Sequence, residues 1–208
     1  MKILKYTSFL IVMIIIYNCG GDNLTGPSAG SAQRMIADGW AYYEKGEYNN
    51  ALAKFNSAKK LNPTHIEVLT GLGWTNFALN NLEQAVINFN SGLNKNPNSL
   101  DLLVGYSFAL YESDNYSTDD GSLGWALKAV EIDSAGFDID GEDYYFIHNS
   151  KVTAKELRKI MALGYFYLGE FEESYFQLIN YLNGNTLDQA SPAFSLELLK
   201  ELNRICGK

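Results

Sequence analysis

The sequence predicts an all-α protein made of stacked helix pairs, and three observations carry that expectation. Gly39, Trp40, Ala51, Phe55 and Pro63 recur 34 residues later as Gly73, Trp74, Ala85, Phe89 and Pro97, without a gap. Within each copy the apolar residues fall at helical spacing, as Tyr48, Leu52, Phe55 and Leu61 do in the first. The composition, 47% hydrophobic and 19% charged over 208 residues, is that of a folded chain. A formal charge of −8 leaves no phosphate-neutralising surface, which excludes nucleic acid as the main partner.

The amino terminus reads as a targeting segment. Lys2 and Lys5 precede an apolar run from Phe9 to Tyr17, too short to span a bilayer and suited to a signal-peptide core. Cys19 follows directly. The arrangement resembles the lipobox of bacterial lipoproteins, in which a cysteine after the apolar core is acylated and becomes the first mature residue. Ile16 fits the aliphatic position, while Asn18 stands where that family usually has Gly, Ala or Ser. On this reading residues 1–18 are a lipoprotein-type signal peptide and Cys19 is the lipidation site. A cleaved secretory signal with a free Cys19, or a short uncleaved anchor, are the alternatives. Residues 19–31, rich in Gly and Ser, have the composition of a flexible tether. Gly26, Ser28 and Gly30 match a G-x-S-x-G pattern by chance, for no strand leads into the serine.

Residues 32–133 hold three repeats. Small residues, Gly39 with Ala51 and Ala58, then Gly73 with Ala85 and Gly92, sit where two helices must approach closely. Asn62-Pro63 ends the second helix, because proline lacks an N–H and disfavours helix at the residue before it. Thr64 with Glu67 reads as a capping box starting the next helix. The third repeat begins in register at Leu103 and Tyr106, then loses it in the polar stretch SDNYSTDDGS, so that the helix Leu123 to Ile132 arrives about three residues late.

Residues 134–151 form an acidic insert, with Tyr144 to Ile147 as a short strand. Between Glu112 and Asp143 ten carboxylates accompany a single base, Lys128. A solvated loop, a surface for a basic partner, and calcium held at Asp138 to Asp143 are the three readings of that charge. Residues 152–208 read as a fourth helix pair and a capping helix. Thr153 with Glu156 is a second capping box, and Ser191-Pro192 a helix start.

The repeated unit resembles the tetratricopeptide (TPR) repeat, whose period is 34 residues and whose unit is two antiparallel helices. The resemblance implies a right-handed α-solenoid of about four helix pairs with a C-terminal capping helix. It also implies that the first helix of each pair lines a concave surface where ligands bind. Carried onto this sequence, Trp40, Trp74 and Phe108 take one concave position, and Tyr43, Phe77 and Tyr111 another. Leu163 and Phe166 continue both rows in the fourth repeat. The second row is usually aromatic in that family, whereas the first is usually polar, so Trp40 and Trp74 are the unexpected residues. Packing between repeats and contact with a partner both account for them.

The functional expectation is a non-catalytic protein–protein interaction scaffold, lipid-anchored at the bacterial outer membrane facing the periplasm. Its partners would be other envelope proteins or peptide segments, held in the aromatic groove. A glycan- or small-ligand-binding lipoprotein using the same aromatics is the alternative. No cofactor, metal or catalytic residue is expected. His65 and His148 lack companions at ligand or triad spacing and read as surface residues, and Cys206 as an idle or buried thiol.

Overall fold

A computed structural model describes residues 27–134 and 144–207. The apolar amino-terminal run, Cys19 and the Asp138 to Asp143 cluster lie outside the described residues. The chain folds as helix pairs: α1 (Pro27–Glu44) with α2 (Tyr48–Leu61), α3 (Ile66–Ala78) with α4 (Leu82–Leu93), and α5 (Leu100–Glu112) with α6 (Ser122–Ile132). A short antiparallel ribbon, β1 (Tyr145–Phe146) and β2 (Asn149–Thr153), precedes α7 (Ala154–Tyr167) and α8 (Phe171–Tyr181). Helix α9 (Phe194–Cys206) covers the end of the stack against α7 and α8.

The repeat works through one aromatic wedge per pair. Phe55 on α2 is fully buried between Gly39 of α1 and Gly71 of α3; a Cβ on those glycines would meet its ring at 2.8 and 2.3 Å. One repeat later Phe89 stands between Gly73 and Gly105 in the same way, at 2.4 and 2.5 Å. Carbon atoms pack at about 3.5–4.0 Å, so only glycine lets these helices close on the ring. In the third pair, where α6 arrives late, that helix buries Leu123, Ala126 and Ala129, and Leu123 lies against Gly164 of α7, where an added Cβ would meet it at 3.4 Å.

The turn inside each pair repeats too. Gly46, Asn80, Asp114 and Gly169 all adopt positive φ, at 77°, 59°, 59° and 81°. Each is followed by an amide reaching back over a whole turn, as Glu47 N donates to the Tyr42 carbonyl at 2.9 Å and Asn81 N to that of Asn76 at 2.8 Å. This is the Schellman closure, which needs a left-handed residue; Gly, Asn and Asp are the types that tolerate it. The third repeat therefore keeps register as far as Asp114.

Three local expectations are corrected. Thr64 does not cap α3: the helix starts at Ile66 with His65 as its N-cap and no side-chain hydrogen bond there. Ser191-Pro192 is not the first turn of α9; Ser191 Oγ instead accepts from Ala193 N in a turn, and the helix begins at Phe194. Helix α1 begins at Pro27, inside the stretch with tether composition. Thr153 does cap α7, accepting from Glu156 N at 3.4 Å. The predicted strand at Tyr144 to Ile147 is narrower, since Ile147 and His148 form the turn of the ribbon.

Candidate functional site

Successive first helices pack on one another, α1 on α3, α3 on α5 and α5 on α7, and form one face of the stack. The sequence-predicted residues all lie on these helices, but they do not form one open ladder. Trp40 is 5% exposed, Tyr43 3% and Trp74 0%, while Phe77 and Phe108 are half-buried beside them. Tyr111 and Leu163 belong to a second core cluster with Tyr175 and Leu178, against which half-buried Phe166 packs. Phe108 touches both clusters.

What covers the first half of the face is the β1–β2 ribbon. Phe146, fully buried, stacks on Trp74 with centroids 4.5 Å apart and planes at 20°. The His148 ring lies on Trp40 at 3.8 Å and 3°. Trp40 also meets Phe55 and Phe146 edge-on, and Trp74 meets Phe77, Phe89 and Phe108. The groove is therefore occupied by the chain's own insert. Rings prefer such offset or edge contacts, each worth about 0.5–1.5 kcal/mol beyond burial.

Polar contacts fix the ribbon at its margins. Tyr144 Oη donates to Asp101 Oδ1 at 2.8 Å, and His148 Nδ1 meets Glu44 Oε1 at 2.7 Å. The same Asp101 accepts from Trp74 Nε1 through its backbone carbonyl, at 3.2 Å. Burial pushes the Asp101 carboxyl above its ordinary range, and the Tyr144 hydroxyl partly offsets this. Burial also raises the Tyr144 hydroxyl, helped by the neighbouring Asp101 charge, and pushes Tyr43 up to about 12 against a hydrogen bond to Asn149. Of the side-chain nitrogens buried in this region, Trp40 Nε1 and His65 Nδ1 find no hydrogen-bond partner among the described residues.

Both histidines depart from the surface role expected of them. They line one cleft of about 420 Å³ with Trp40, Glu67, Asp101 and Phe146. Among the described residues no three His, Cys, Asp or Glu side chains converge as a metal ion would need. Cys206 is half-buried on α9, packed on the second cluster.

Sequence reasoning missed Phe146, His148, Tyr144 and Asp101 as parts of this site. A signal for three of them exists: rings at Tyr144, Phe146 and His148 alternate with period 2, the pattern of a strand with one face buried. Tyr145 and Ile147 between them are 63% and 70% exposed. Nothing local marks Asp101 as their receptor.

No protein-family model matches the sequence, and no curated protein does. Solved structures do. A tetratricopeptide repeat protein from Parabacteroides merdae superposes with a TM-score of 0.57 at 15% identity, over 86% of this chain and 61% of that one. The chain thus spans about three fifths of that protein. A thermophilic TPR protein of Thermus thermophilus gives 0.54 at 22% identity, over 85% and 83%. MamA from Desulfovibrio magneticus gives 0.56 at 13%, over 81% and 76%. At these identities the likeness concerns architecture. With the wedge, the turn and the period, it establishes that this chain folds as an all-α, TPR-like solenoid.

Proposed function

We propose that the chain is a non-catalytic protein-interaction scaffold, held at the bacterial cell envelope by a lipid on Cys19, with its concave aromatic face as the contact surface. The partner is an envelope protein or a peptide segment of one. The observation that carries this reading is the ribbon itself: a short β-hairpin already lies on the face, ring against ring at Trp40 and Trp74 and fixed at its margins by Glu44 and Asp101. A surface that holds a hairpin by stacking and marginal polar contacts has the properties of a peptide-binding surface. The half-buried Phe77, Phe108 and Phe166 extend that face beyond the ribbon.

Glycan binding has less support. A sugar would need a free ring face on Trp40 or Trp74, and His148 and Phe146 stack on those.

A photo-reactive residue placed at Phe108 or Phe166 is expected to give a discrete crosslinked adduct in whole cells, while one at the exposed Ala53 on α2 gives none. The same adducts from all three positions, or none from the concave pair, would refute the reading. Lipid anchoring is tested separately: Cys19→Ser should move the protein from the membrane fraction to the soluble one.

A further inference from the structure

The ribbon reaches the face through few side chains: Phe146 and Val152 join the main core cluster, and His148 stacks on Trp40. It has just two strands, β1 is two residues long, and its pairing slips between Tyr145 and Phe146. A two-stranded ribbon of that size is marginal by itself in water, so its placement depends on the side chains it docks. Those side chains use one face. Phe146 and His148, two residues apart, lie on Trp74 and Trp40, while Tyr145 and Ile147 stay in solvent. The fit is also incomplete, because Trp40 Nε1 is buried beneath the ribbon with no acceptor among the described residues. A buried donor left unmade carries a cost that a better occupant would remove.

We propose that residues 144–153 are a built-in occupant of the concave face, and that the partner's contacting segment has the same chemistry. It is a protein segment that turns as the ribbon does, with an aromatic ring at one position and a second flat ring two residues on, which replaces Phe146 and His148 on Trp74 and Trp40. A backbone or side-chain oxygen near Trp40 Nε1 gives it the acceptor that the ribbon lacks. This inference rests on the concave face being the contact surface. The ribbon then sets a threshold, since a tethered occupant competes at an effective concentration in the millimolar range. Only a segment that binds well, or is held nearby on the same membrane, displaces it.

The test uses the ribbon's own sequence as the probe. A fluorescent peptide of residues 143–154 is titrated into the full chain and into the full-length Phe146→Ala/His148→Ala variant. The peptide is expected to bind the variant at least about tenfold more tightly than the unaltered chain, with a peptide lacking the Phe146 ring binding neither. Equal affinity for both chains, or binding to neither, would overturn the proposal. Hydrogen exchange on the unaltered chain gives an independent reading that needs no variant to fold. The ribbon amides should exchange at least about tenfold faster than those around Phe89 and Leu103; equal protection would show the ribbon to be part of the cooperative core. The two readings fail separately. Peptide binding without concave crosslinks would refute the scaffold, whereas concave crosslinks without peptide binding would refute the built-in occupant alone.

Discussion

Replacing Gly73 by alanine tests the wedge on which the solenoid is built. The new Cβ would lie 2.4 Å from Cε1 of Phe89, about 1 Å inside ordinary carbon contact. The ring cannot retreat, because on its far side it already rests on Gly105, where an added Cβ would come within 2.5 Å, and Trp74 stands edge-on to it at 5.6 Å. Helices α3 and α4 must therefore separate. Overpacking of this kind costs about 1–3 kcal/mol, and a ring held on both sides puts the cost at the upper end. Alanine recovers up to about 1 kcal/mol in helix propensity, leaving a net loss of about 2 kcal/mol. For a chain of this size that lowers Tm by about 4–8 °C, measurable by far-UV circular dichroism. Gly30→Ala is the control: nothing lies within 4 Å of its Cβ position, so the propensity gain stands alone and Tm should hold or rise by a few degrees. Adding Phe89→Leu to Gly73→Ala should restore part of the loss, with a coupling on the order of 1 kcal/mol. A Gly73→Ala chain as stable as the parent would refute the wedge.

Other outcomes follow from the same contacts. Tyr144→Phe removes the donor to the part-buried Asp101 carboxylate and should weaken ribbon docking by about 1–3 kcal/mol, seen as faster exchange of the ribbon amides with the helices unaffected. Asp114→Ala places a Cβ-bearing residue without a turn-stabilising side chain at φ 59° and should lower the urea midpoint by the equivalent of about 1 kcal/mol, whereas Asn80→Gly at the equivalent turn should be neutral or better. The Arg204 guanidinium, 2.8 Å away, together with the Asn185 amide holds the Glu201 carboxyl down at about 2, below its unfolded value of 4.5. A carboxyl whose folded pKa is depressed stabilises the fold fully above the unfolded value and loses that contribution as pH falls toward 2. Glu201→Gln should therefore flatten the decline of stability between about pH 4.5 and 2, and an unchanged acid limb would show that the pair contributes nothing.

The repeat was legible because its determinants are local and recur. Small residues facing the apolar stripe and proline after the second helix recur with the period, which exposes them, whereas the contact of Phe55 with Gly71 across the next repeat and the left-handed residues at Gly46, Asn80, Asp114 and Gly169 emerge from the structure. The capping of α3 was misread because Thr64 and Glu67 fit a pattern whose geometry the chain does not adopt, the helix starting one residue past His65. The ribbon was harder. Its contacts join residues far apart in sequence, His148 to Glu44 and Tyr144 to Asp101, and no local spacing encodes such a pairing.

The sequence by itself determined the helix pairs and their period, since apolar spacing, small residues and proline recur within each repeat, and its resemblance to the TPR repeat implied which aromatics would share a face. Only the tertiary structure decided that the face is occupied. Phe146 and His148 lie on Trp74 and Trp40 because a short ribbon cannot hold itself in water and the nearest large apolar surface able to take its rings is the groove of its own chain.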